Sequence, residues 1–164
     1  MSTPTFSDDA LEIERIFNAD RDLIWEIWTD SEHFKKWYGP KGFTVPVAKM
    51  DLRVGGRRLI CMESPDGSMR MWTIGEYMEI VPNERLRYTE SPADENGNLI
   101  PPSAMGMPEG YPTTTEVTLL LEDLGGQTKM VMTHAGVPTE SGASAGWEQA
   151  LDKLAEHLKT VLND

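Results

Sequence analysis

A chain of 164 residues and 18.4 kDa has the length of one domain, long enough to bury a core without a disulfide framework or a structural metal. Fifteen basic against 27 acidic residues leave a formal charge of −12, which repels phosphate backbones and excludes nucleic acid as an expected partner. Cys61 is the only cysteine, so no internal disulfide forms and a reducing, cytoplasmic location is expected. Residues 1–9 show neither a basic stretch nor an apolar one, so no signal peptide is expected. No run approaches about 18 apolar residues, so no membrane span is expected either.

Residues 1–10 read as a flexible start and 11–164 as a single domain. An imperfect alternation of apolar and polar residues over 11–17 predicts a first strand. Asp20 is a candidate N-cap for a short helix carrying Leu23, Ile24, Ile27 and Trp28. Asp30 or Ser31 can cap a second short helix carrying Phe34 and Trp37, and Tyr38-Gly39-Pro40-Lys41-Gly42 ends it. Strands are predicted over 44–51, 57–63, 69–80 and 85–90. Pro65-Asp66-Gly67 and Val81-Pro82-Asn83 are the turns between the later ones. Strands over 114–122 and 128–135 follow, joined at Leu124-Gly125-Gly126, and the order is that of an antiparallel meander. Trp147, Leu151, Leu154, Leu158 and Val161 then mark one face of a long terminal helix, with Ser141 or Ser144 as its cap.

The segment 91–112 departs from this regularity, holding five of the 11 prolines and three of the 14 glycines. Irregular stretches of that length serve as lids or mobile excursions. Leu99, Ile100, Met105, Met107 and Tyr111 give it the apolar groups a lid over a cavity needs.

The succession of motifs along the chain resembles a known family. Phe17-Asn18-Ala19, Leu23, Trp25, Trp28-Thr29-Asp30, Phe34 and Lys36-Trp37-Tyr38-Gly39-Pro40 are similar to the opening of activator-of-Hsp90-ATPase-like (AHSA1-like) proteins, in the START/Bet v 1-like (SRPBCC) superfamily. The likeness continues through Met50-Asp51-Leu52-Arg53-Val54-Gly55-Gly56, Pro65-Asp66-Gly67, Gly75-Glu76-Tyr77 and Pro82-Asn83-Glu84-Arg85-Leu86. It ends with Glu116-Val117-Thr118 and Gly146-Trp147, followed by Leu151 and Leu154. It spans about residues 11–160. It implies an α+β helix-grip fold: a curved antiparallel sheet wrapped around a long C-terminal helix, two short helices after the first strand, and an elongated apolar cavity.

On that fold, Met69, Met71, Met130 and Met132 are candidates to line a deformable hydrophobic pocket, since methionine adapts to irregular apolar space. Trp37, Trp72, Tyr77, Met105, Met107, His134, Trp147 and Leu151 complete the candidate ligand-binding set. For any one methionine, plain core filling is the ordinary role. Met69, Met71 and Tyr77 on one parity compete with Arg70, Trp72, Ile74 and Glu76 on the other for the concave side. His33, His134 and His157 lack metal spacing, and no HExxH, CxxC or nucleotide-binding fingerprint occurs, so no metal, cofactor or catalytic residue is assigned. His134 reads as a hydrogen-bonded structural histidine, with general base as the alternative. The expected function is non-catalytic carriage or sensing of a hydrophobic small molecule: a lipid, an aromatic or a polyketide-like compound. The alternatives are a protein partner module modulating an Hsp90-type ATPase, and a cyclase- or hydrolase-like enzyme. The enzyme reading requires ionisable groups converging inside, such as His134 with Glu76 or Arg70. A monomer or homodimer is expected.

Overall fold

A computed structural model describes residues 10–105, 113–136 and 143–163. The chain runs β1 (Leu11–Phe17), α1 (Arg21–Thr29), α2 (Ser31–Phe34), β2 (Thr44–Met50), β3 (Arg57–Glu63), β4 (Arg70–Val81), β5 (Arg85–Ala93), β6 (Thr115–Asp123), β7 (Thr128–Ala135) and α3 (Ala143–Leu162). Every strand pairing is antiparallel, and the seven strands stand in the order β1-β7-β6-β5-β4-β3-β2. The sheet curls around α3, the helix-grip arrangement, with α1 and α2 following the first strand. No helix of the described residues is long and apolar enough to cross a membrane.

Strict alternation decides which side chains meet α3. In β6, Thr115, Val117, Leu119 and Leu121 are buried; in β7, Thr128, Met130, Met132 and His134 are. The register sets Val117 against His134, Leu119 against Met132 and Leu121 against Met130, so both rows share the concave face. Tyr88 pairs with Val117 and with Tyr77, which carries the same face across β5 into β4. Leu151, Leu154 and Leu158 of α3 join these residues in one buried cluster.

The competition in β4 goes to the Tyr77 parity. Arg58, Ile60 and Met62 of β3 pair with Gly75, Thr73 and Met71, and Arg58 and Ile60 are buried on the concave side. Cys61 and Trp72, paired with each other, therefore take the outer face. A bulge between Tyr77 and Glu79 then reverses the parity, so that Ile80 packs against the core.

Several boundaries differ from expectation for local reasons. α2 stops at Phe34, and Trp37 lies in the turn after it, swung into the core with its indole N–H on the Ile27 carbonyl at 3.0 Å. Asp20 holds the N-cap position of α1, but its side chain makes no capping bond; Asp30 caps α2, accepting the Glu32 N–H at 2.8 Å. Ser144 stands inside α3, and Ser141 lies outside the described residues. Part of the irregular segment is ordered strand. β5 continues to Ala93, the Asp94 carboxylate takes the N–H groups of Asn96 and Asn98, and a bridge joins Ala93 to Leu99. This turn folds onto the outer face, where a Cβ at Gly97 would lie 3.6 Å from Ile74, so residues 94–99 do not roof the interior. β2 is an edge strand, marked by Pro46 and by an irregularity between Thr44 and Val47.

Candidate functional site

The space between the short helices and α3 is closed by stacked rings. Trp28 packs edge-on to Trp37 at 4.8 Å and stacks with Trp147 at 6.0 Å; Phe34 stacks on Tyr38 at 4.5 Å. Beside this stack lies a pocket of about 140 Å³ lined by Tyr38, Gly39, Pro40, Met62, Gly146, Trp147 and Ala150. Its existence follows from residue size. Gly146 and Ala150 fall one turn apart on α3 and leave a shallow groove, with the backbone of the Tyr38–Pro40 stretch as the facing wall. The lining is apolar because its two polar members turn their heads inward.

Those two heads lead into a buried polar cluster. The Tyr38 hydroxyl donates to Glu90 Oε2 at 3.0 Å, and the Trp147 indole N–H donates to His134 Nδ1 at 2.9 Å. An indole N–H can only donate, so His134 Nδ1 is the acceptor and the proton of the neutral ring sits on Nε2. Nε2–H then donates to Thr115 Oγ1 at 2.8 Å, and the Thr115 hydroxyl donates on to the Glu90 carbonyl at 3.4 Å. Burial lowers the pKa of His134 and outweighs the opposing pull of Glu90. His134 is thus a neutral histidine with both nitrogens engaged.

Arg58 supplies the cluster's positive charge. Its side chain is 2% exposed, its guanidinium carbon lies 3.6 Å above the Tyr88 ring, and Nη1 is 4.0 Å from Glu90 Oε2. Burial works against the charge, but Tyr88, Tyr77 and Glu90 outweigh it and raise the pKa above its ordinary value. Burial and Glu90 raise the pKa of Tyr38, and burial raises that of Tyr88, so both phenols keep their protons. Arg58 Nε and the hydroxyls of Tyr77 and Tyr88 have no hydrogen-bond partner among the described residues.

The candidate residues separate into five groups. Trp147 lines the pocket. Trp37, Tyr77, Met130, Met132, His134 and Leu151 are buried on the concave side, Trp37 and the two methionines as packed core and His134 in the polar cluster. Met71 is half-buried on the same face as Tyr77. Met69 and Trp72 do not line the interior: Met69 precedes β4 and is 51% exposed, and Trp72 is set on the outer face by its pairing with Cys61. The Met105 side chain and all of Met107 lie outside the described residues. Glu76 is exposed and Arg70 pairs with Glu63, so the ionisable group brought near His134 is Glu90, 4.0 Å from Nε2, with Arg58 on the far carboxylate oxygen. Cys61 is buried, and burial raises its thiol pKa, an unreactive setting. Among the described residues no group of three His, Cys, Asp or Glu is placed to hold a metal.

Sequence reasoning missed Tyr38, Gly39, Pro40, Met62, Gly146 and Ala150 as a wall. The available signal was a glycine and an alanine four apart beside Trp147, opposite a Gly-Pro turn. With this geometry in view, residues 18–159 match the family described as Activator of Hsp90 ATPase homolog 1-like protein. The chain belongs to that family.

Solved structures of similar fold span nearly all of it. A protein from Chromobacterium violaceum is 25% identical with a TM-score of 0.75, covering 90% of this chain and 95% of its own. One from Arthrobacter aurescens is 22% identical with a TM-score of 0.78, covering 96% and 90%. The AHSA1 protein from Silicibacter pomeroyi is 21% identical with a TM-score of 0.72, covering 92% and 98%. No curated protein matches.

In this member of the activator of Hsp90 ATPase homolog 1-like family, a second histidine contact ties α2 to α3. His33 Nδ1 and His157 Nε2 are 2.9 Å apart, and the other His33 nitrogen is 3.6 Å from Glu26. Burial, His33 and Lys36 lower the pKa of His157.

Two expectations follow from these charges. Arg58→Met strands the Glu90 carboxylate in the interior and lowers the unfolding free energy by about 3–5 kcal/mol, while Arg58→Met with Glu90→Gln recovers most of the loss; urea denaturation measures both. His134 and His157 bind protons less readily folded than unfolded, so stability is complete above the ordinary histidine pKa of 6.5 and falls as pH drops below it. Thermal melts between about pH 7.5 and about pH 5 show the decline, and His157→Gln reduces it.

Proposed function

We propose that this chain binds a small hydrophobic molecule without transforming it, as a cytoplasmic carrier or sensor, and that the molecule seats a ring between Trp147 and the Tyr38–Pro40 wall. The pocket of about 140 Å³ carries this reading. An apolar cavity of about 150 Å³ holds a benzene-sized ring. Each Å² of apolar surface removed from water contributes about 25 cal/mol before association costs. The polar heads of Tyr38 and Trp147 are already engaged behind the wall, so the recess offers contact area rather than reacting groups. Of the expected ligand classes, a small aromatic compound fits this recess best.

Thermal shift and tryptophan fluorescence with one-ring probes such as toluene and phenol test the reading. At probe concentrations near 100 times Kd, the melting temperature rises by about 5–10 °C, and Trp147 emission changes. A flat response across such probes removes the carrier reading.

The family match favours a second reading, in which the domain modulates an Hsp90-type ATPase. An ATPase assay with a bacterial Hsp90 separates the two: a rate that changes on addition of this protein supports modulation, and an unchanged rate discards it.

A further inference from the structure

The facing walls of the pocket belong to different elements, α3 and the turn after α2, with Met62 of β3 completing the lining, and one side chain spans the gap between them. Lys153 Nζ donates to the carbonyl oxygens of Tyr38 at 3.3 Å, and of Gly39, Pro40 and Phe43 at 3.1 Å each. Three of those four carbonyls belong to residues that line the pocket. Gly39 sits at φ 96°, a region glycine enters freely, and this lets successive carbonyls converge on one point. Gln149, one turn before Lys153, takes the Lys41 N–H on its Oε1 at 2.9 Å. The pocket-lining positions Gly146, Trp147 and Ala150 sit on the turns of α3 just before Lys153. At the opposite end the walls almost meet, since a Cβ on Gly146 would lie 3.8 Å from Pro40 Cγ.

We propose that Lys153, assisted by Gln149, is the positioning residue that sets the width of this pocket and thereby the size of ring the chain accepts. The inference rests on the ring-binding reading above. An ammonium group has three N–H bonds, and here they are shared among four carbonyls of one short turn. No carboxylate among the described residues lies within ion-pair distance to compete for them. Remove the cation and the carbonyls must turn to water. The wall they belong to then moves away from α3, and the recess loses its fit to a single ring while admitting larger ones.

Calorimetric titration with toluene and 1-methylnaphthalene tests this in wild type, Lys153→Met, Lys153→Gln, Lys153→Arg and Gln149→Ala. Wild type prefers toluene by about tenfold or more, the scale on which a tight apolar pocket separates sizes. Lys153→Met and Lys153→Gln compress that ratio to within about threefold, Lys153→Arg keeps it because the cation and its donors remain, and Gln149→Ala shifts it by about twofold. A purely structural lysine would lower the melting temperature and leave the ratio alone. Should Lys153→Met fail to fold, Lys153→Gln and Gln149→Ala, the latter at an exposed helix position, decide the matter. An unchanged ratio in every folded variant overturns the inference while the pocket reading stands. If neither probe binds wild type, the pocket reading fails and takes the inference with it.

Discussion

A guanidinium held on the concave face of the sheet constrains everything around it. Arg58 cannot shed its proton, so its charge must be matched where water does not reach. Glu90 supplies the opposite charge, but at 4.0 Å it makes an ion pair without a hydrogen bond, and the Tyr88 ring 3.6 Å away takes part of the burden as a cation–π partner. Glu90 in turn needs a donor, which fixes the Tyr38 hydroxyl, and the Glu90 main-chain carbonyl receives the chain of bonds that begins at Trp147. The orientation of both pocket-lining aromatics is therefore a consequence of electrostatics several residues behind them.

This arrangement separates two jobs that the concave face must do. On the interior side the Tyr38 hydroxyl and the Trp147 N–H are both hydrogen-bonded; the exposed side is apolar and recessed. A ring entering the recess meets surface whose hydrogen bonds are complete, so nothing polar is left unpaired by its arrival. The same division explains why His134 is a poor candidate for proton transfer. Its Nδ1 lone pair is held by a group that can only donate, and protonation would set two N–H bonds against each other.

Much of the architecture was legible in the residues because alternation and helical spacing are local properties. Alternation puts Val117, Leu119 and Leu121 on one face of their strand and Met130 and Met132 on one face of theirs, and helical spacing marks the Leu151, Leu154, Leu158 stripe; the register joins all three in one core. The concave parity of β4 was not legible, since apolar groups occupy both faces and the folded-back turn near Gly97 shelters the outer one. Nor was the cluster. Arg58 and Glu90 are 32 positions apart and meet only through the β3-β4-β5 registers, and nothing near either residue distinguishes it from a solvated surface charge. The pocket was hidden for a different reason: it is made of small side chains and backbone, whereas large apolar residues drew attention to the packed core.

One of the two edge strands carries a quieter consequence. Along β2, Pro46 lacks an N–H and the ladder is irregular between Thr44 and Val47, so half of that border cannot serve as a template for another extended segment. A sheet that curls this far still ends somewhere, and unprotected borders invite runaway stacking into fibrils. By breaking its rim where the hydrogen-bonding groups would otherwise line up, the fold remains open at that side and yet unreceptive to a further strand.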